Sequence, residues 1–255
     1  MAFTYSAQLY PVRTLLEQDP LSVLHQIKRM GYIGVEGFGE FKYSAQDVNY
    51  ALSETGLKLV GYHTPWAYVQ DDKIESTIQY FKAIGNKYVI IPAFPGELTK
   101  TIDDWKRLAE KSNTISQRLQ NEGMIFGYHN HAIEFQMIDG QLPFTVYFDS
   151  TDPAVVVQID NGNAMNGGGD VMGVMRKYPG RARSVHIKPF SKTTGLLTMI
   201  GEDDIDWAEF MHWCRDKGNT EHYIVEYGRE QLYPLMKGIE LCIKGLKELE
   251  ASGKI

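Results

Sequence analysis

The chain has 255 residues, 43% of them hydrophobic and 23% charged, the proportions of an ordinary globular protein, which argues against disorder, collagen-like repeats and coiled coil. With 26 Lys and Arg against 32 Asp and Glu, the formal charge is −6, the opposite of the basic balance that a nucleic-acid binder carries. There is no apolar run of about 18 residues and no charged segment leading into an apolar one at the N-terminus, so membrane spanning and export lack support and a cytoplasmic protein is expected. The two cysteines, Cys214 and Cys242, lie far apart without metal-ligand spacing and read as buried, reduced thiols.

In chain order, short apolar runs rich in Val, Ile, Tyr and Phe occur at residues 3–9, 32–38, 57–63, 87–93, 124–129, 154–160, 183–188 and 222–227. Their length favours buried strands over helices. Between them lie segments of helical periodicity, among them 20–30, 70–85, 101–123 and 231–253; in the second, Ile74, Ile78 and Phe81 share a face. Gly31, Gly56, Gly85, Gly123 and Gly218 stand just before the following strands, where left-handed caps are expected. Residues 139–151 contain Pro143 and leave room for only a short helix. Gly167, Gly168 and Gly169 before Asp170 read as a turn with an Asp N-cap rather than a phosphate cradle. Eight strand–helix units of about 32 residues each predict an α/β fold, a (β/α)8 TIM barrel in one domain spanning 1–255, with a doubly wound open sheet as the competitor.

A TIM barrel carries its chemistry at the C-terminal strand ends. Those ends hold Glu36 after the second strand, His63 after the third, and His129, His131 and Glu134 at or after the fifth. The sixth ends in Asp160, the seventh in His186 and Lys188, and the eighth in Glu226 with Arg229 beyond it. So many imidazoles and carboxylates at one mouth are costly to desolvate unless a cation compensates, so a divalent-metal site is expected. Oxygen and nitrogen ligands without thiolate suit Mn2+, Mg2+, Co2+ or Zn2+, and a carboxylate majority favours Mn2+.

At YHNHAIEF (128–135), IDNGNA (159–164), VHIK (185–188) and IVEY (224–227), the chain resembles the xylose-isomerase-like barrel superfamily of sugar isomerases and epimerases, which also includes dehydratases and a DNA-repair endonuclease. The resemblance implies a metal held by a strand-five carboxylate together with Asp160, His186 and Glu226. At the strand-five tip this chain has His129, and the nearest carboxylate is Glu134; Glu134 is taken as the ligand, with His129 the competing choice. Pro189 stands where relatives often have Asp, so His186 needs another partner to orient its ring.

The implied reaction is isomerisation or epimerisation of a keto-sugar or polyol by proton abstraction next to a carbonyl, with the cation stabilising the enediolate. Glu226 would serve as one acid/base and Glu134, His129 or His131 as the other. Glu36, His63, Trp66, Lys188 and Arg229 would contact substrate. A lyase, either a dehydratase or a keto-glycoside-cleaving enzyme, is the first alternative, and a non-catalytic sugar-binding barrel the second. The acidic balance and only seven His speak against an endonuclease with three zinc ions. The expected partner is a small sugar or polyol, without nucleic acid or membrane, in a monomer or homodimer.

Overall fold

The computed structural model describes residues 3–255; Met1 and Ala2, which open the N-terminal stretch, lie outside the described residues. Eight strands form at the expected apolar runs: β1 (Tyr5–Gln8), β2 (Gly34–Phe38), β3 (Lys58–His63), β4 (Tyr88–Ile91), β5 (Ile125–His129), β6 (Val156–Gln158), β7 (Ser184–Ile187) and β8 (His222–Val225). Every neighbouring pair runs parallel, and β1 pairs with both β2 and β8, which no open doubly wound sheet does. Between β6 and β7 the ring is closed by the His186 N–H donating to Ile159 O at 2.8 Å and the Val157 N–H donating to Arg181 O at 2.9 Å.

Helices α1 (Arg13–Gln18), α2 (Pro20–Met30), α3 (Ala45–Thr55), α4 (Ile74–Ala83) and α5 (Ile102–Asn121) follow the first four strands. After β5 come α6 (Pro143–Asp149), after β6 the short α7 (Asn161–Asn166) and α8 (Val171–Met175), then α9 (Trp207–Asp216) and α10 (Leu235–Ala251). The amphipathic reading of α4 holds, since Ile74, Ile78 and Phe81 are fully buried against the sheet. Among the described residues no helix is long and apolar enough to cross a membrane.

Of the expected left-handed glycines, Gly31, Gly56, Gly85 and Gly123 have positive φ, but Gly218 does not. There the reversal falls one residue later, on Asn219 at φ +56°, one of the few side chains that accept that conformation. The glycine run before α8 is a turn: the Asp170 side chain caps the helix by accepting from the Gly173 N–H at 2.9 Å. Two of these glycines also allow a close fit. A Cβ on Gly167 would stand 2.4 Å from Ala132 O, and one on Gly169 would stand 2.2 Å from the Phe135 ring.

The barrel interior is apolar at the bottom, where Tyr88, Ile90 and Val156 form their own cluster, and polar towards the C-terminal ends. The larger apolar core lies between barrel and helices. Cys214 and Cys242 are buried there as free thiols, and burial pushes both thiols up.

Candidate active site

Strand parity puts Gln8, Glu36, His63, His129, Gln158, Ser184, His186 and Glu226 on the inner side of the upper barrel, where they hydrogen-bond to one another. Glu36 lies at the centre and is wholly buried. Its Oε1 accepts from Gln158 Nε2 at 2.8 Å, and its Oε2 from Gln8 Nε2 at 2.6 Å. His186 Nε2 stands 2.7 Å and His63 Nε2 3.1 Å from the same Oε2. Gly61 makes room, because a Cβ there would come within 2.9 Å of Glu36 Oε1. Burial pushes the Glu36 carboxyl up, but His63 and His186 outweigh it and hold the group below the usual range.

The Gln158 amide orders the rings around it. Its Nε2 donates to Glu36 and, at 2.9 Å, to Ser184 Oγ, so its Oε1 accepts from His63 Nε2 at 2.8 Å and His129 Nδ1 at 3.1 Å. With its proton on Nδ1, His129 presents the Nε2 lone pair to Asp160, whose Oδ2 is 3.9 Å away. Burial lowers both of these imidazoles, His129 most strongly, and nearby His186 lowers both further. His186 differs. Burial disfavours its charge, but Glu36 on one side and Glu226 on the other, 2.8 Å from Nδ1, raise it to about 9.

Asp160 ends the sixth strand run and caps α7, its Oδ1 accepting from the Asn163 N–H at 2.7 Å. Its Oδ2 is buried without an aligned hydrogen bond, although Lys188 Nζ lies 2.9 Å away. The same ammonium is 2.9 Å from Glu226 Oε1. Burial works against the Lys188 charge, and the two carboxylates more than restore it. For Glu226, burial is outweighed by Lys188 and His186, which hold the carboxyl well below the usual range.

The donor set fits a divalent cation. One atom each of His129, Asp160, His186 and Glu226 lies within 4.8 Å of the others, and Asp160 Oδ2, which accepts no aligned hydrogen bond and has the Lys188 ammonium beside it, is an anionic donor suited to a cation. His63, His129 and His186 also cluster, but both His63 Nε2 and His129 Nδ1 face Gln158. The grouped donors are two imidazoles and two carboxylates, not the carboxylate majority behind the Mn2+ expectation.

Glu134 is not brought into this group. The chain after β5 makes a 3-10 turn at Ile133–Phe135, and Glu134 folds against the helix-facing side of the strand, accepting from Tyr128 Oη and, at 2.8 Å, from the His131 N–H. Both oxygens are committed there, and burial raises the carboxyl. Glu36 is likewise buried, with both oxygens engaged by Gln8, Gln158, His63 and His186. His131 is exposed at the rim. His63, Trp66, His129, His131 and Glu226 border a cavity of about 580 Å3 over the barrel; Lys188, Arg229 and Glu226 border an adjoining one of about 410 Å3.

Several residues went unrecognised in the sequence. Gln8, Gln158 and Ser184 build the layer beneath the mouth. Asn130 clasps the Asp160 backbone, its Oδ1 accepting at 2.9 Å and its Nδ2 donating at 3.1 Å. Asn161 does the same for Lys188, at 3.0 and 2.9 Å. These amides extend the β5–β6 and β6–β7 pairing beyond the strand ends. Glu36 supplies the partner for His186 that Pro189 does not.

A family model for the xylose isomerase-like TIM barrel matches residues 24–249. Inosose dehydratase of Clostridium perfringens is 24% identical over 202 residues, 67% of this chain and 67% of that protein. A sugar phosphate isomerase/epimerase from Parabacteroides distasonis superposes with a TM-score of 0.82 at 23% identity, over 97% of this chain and 98% of its own. The IolI protein, crystallised with a binding zinc atom, gives 0.74 at 12% identity, over 98% and 99%. At these identities the two superpositions speak for the fold.

Proposed function

Since the chain belongs to the xylose isomerase-like TIM-barrel family, we propose that it is a divalent-metal-dependent enzyme that removes a proton next to the carbonyl of a keto-sugar or keto-polyol. The observation that carries this reading is the convergence of His129, Asp160, His186 and Glu226 under an open cavity. His129 Nε2, Asp160 Oδ2, His186 Nδ1 and Glu226 would hold the cation, a mixed set suited to Zn2+, Co2+ or Mn2+. When bound, the ion supplies Lewis-acid polarisation of the substrate oxygens. Glu226, ionised at neutral pH, takes the carbon-bound proton, and Lys188 and Arg229 bind hydroxyl groups beside it. His131 at the rim returns a proton to carbon or to a departing hydroxyl.

The two fates are reprotonation, which makes an isomerase or epimerase, and loss of a β-substituent, which makes a dehydratase or other lyase. Elimination is favoured by one observation: Glu134 is turned away, so no strand-five carboxylate stands with Glu226 to work on the opposite face of the reacting carbon. The Clostridium perfringens relative, an inosose dehydratase, supports the same fate. The test is proton exchange in D2O with a panel of keto-sugars and keto-inositols, followed by NMR. Exchange that disappears in Glu226→Gln supports the reading, and the product separates isomer from dehydrated ketone. Undiminished exchange in that variant refutes the role of Glu226.

A further inference from the structure

The mouth is two cavities of unlike character that meet at Tyr10 and Glu226. The smaller is polar, bordered by Arg13, Thr14, Lys188, Arg229, Glu230 and Gln231. The larger, about 580 Å3, has a polar floor of imidazoles, but its walls are Phe38, Trp66 and Phe94 with Pro65, Pro92 and Pro95. Tyr10 is the partition. Its ring meets Phe38 edge-on at 5.5 Å and carries the Arg13 guanidinium 4.4 Å over its face.

These apolar walls are held in place. Phe94 stacks on Tyr128 at 4.4 Å and 8°, and Trp66 stands edge-on to Phe94 at 4.9 Å and 89°. Three prolines stiffen the loops that carry them. One aromatic platform is enough to receive the C–H face of a sugar; here aromatic and proline surfaces enclose a space that by itself falls within the size range of pockets for drug-sized ligands. A hydroxylated ring alone would leave much of that apolar wall facing water.

We propose that the substrate is bipartite: a hydroxylated keto-ring reacting at Glu226 and reaching into the polar cavity, with an apolar, ring-sized substituent seated between Trp66, Phe94 and Phe38. The proposal rests on the reading of the site as sugar-processing and adds the chemical class of what the sugar carries.

The probes are phenyl β-D-glucopyranoside and methyl β-D-glucopyranoside, which differ only in the appended group. Each is titrated calorimetrically into metal-loaded protein, with saturation-transfer NMR to locate the contacts. The expected result is at least tenfold tighter binding of the phenyl glycoside, with saturation strongest on the phenyl protons. Trp66→Ala should reduce that advantage to below about threefold, and Tyr10→Ala, at a half-exposed position that threatens the fold less, should also narrow it. Equal affinities, no detectable binding of the phenyl glycoside, or an advantage unchanged in both variants would overturn the proposal. These readouts need no turnover, so loss of exchange with keto-sugars would defeat the proposed reaction and leave the phenyl-to-methyl ratio to judge the substituent.

Discussion

Replacing Glu36 by Gln in metal-stripped protein tests the buried network directly. The protonated His186 imidazole lies between Glu36 Oε2 at 2.7 Å and Glu226 Oε2 at 2.8 Å, and it is raised from 6.5 to about 9. At about 1.4 kcal/mol per pH unit, that rise is about 3 kcal/mol of stability linked to this proton. Because the folded value lies above the unfolded one, the contribution is complete below about pH 6.5 and is lost as pH rises through about 9. Glu36 and Glu226 share it, so Glu36→Gln should remove about 1–2 kcal/mol at pH 6 and almost none of this component above pH 9.5. Chemical denaturation of EDTA-treated wild type and variant at pH 6, 7.5 and 9.5 measures the difference, in which other titrating groups largely cancel. A stability gap of constant size across that range would refute the assignment of the proton to His186. The same substitution offers an amide N–H to His186 Nε2 and moves the ring proton to Nδ1, so affinity for Zn2+ or Mn2+ should fall roughly 10–100-fold in a calorimetric titration.

Asp160→Ala and His186→Ala should each abolish stoichiometric metal in elemental analysis while circular dichroism keeps its wild-type shape; full metal content in both would reject the site. Glu134→Gln should keep the metal, whereas His129→Ala should weaken it at least tenfold, and the reverse order would return the strand-five role to Glu134. Lys188→Met leaves Asp160 and Glu226 without their ammonium partner, so the metal-free protein should lose about 3–5 kcal/mol while cation affinity rises, since the cation no longer competes with Nζ. Metal binding at pH 7.5 should release close to one proton from His186, seen as a buffer-dependent heat in calorimetry; no dependence on the buffer would contradict a charged ring.

The strands were readable because a barrel strand is buried on both faces and shows as a bare apolar run, while the cap at Gly218–Asn219 depended on a local choice between two permissive residues. The site was readable to the extent that parity was followed. Counting by twos along the strands leads from Val156 through Gln158 to Asp160, and from Ser184 through His186 to Lys188, naming the buried amide and hydroxyl as well as the reactive tips. Glu134 lies an odd five residues past His129 and beyond the strand, where alternation no longer holds; only the 3-10 turn decides its side. That Glu36 would be sealed beneath the mouth depended on four partners from β1, β3, β6 and β7, a convergence no single segment displays.

The tight seat of Gly167 and Gly169 against Ala132 and Phe135 joins the loops after β5 and β6 into one panel. His131 stands on one half of the panel, and the segment from α7 to Asp170 forms the other, so neither half can lengthen or shift without a matching change in its neighbour. Divergence in what such a barrel accepts is therefore easier on the opposite side of the opening, in the segments carrying Tyr10, Trp66, Phe94 and Arg229, than along this seam.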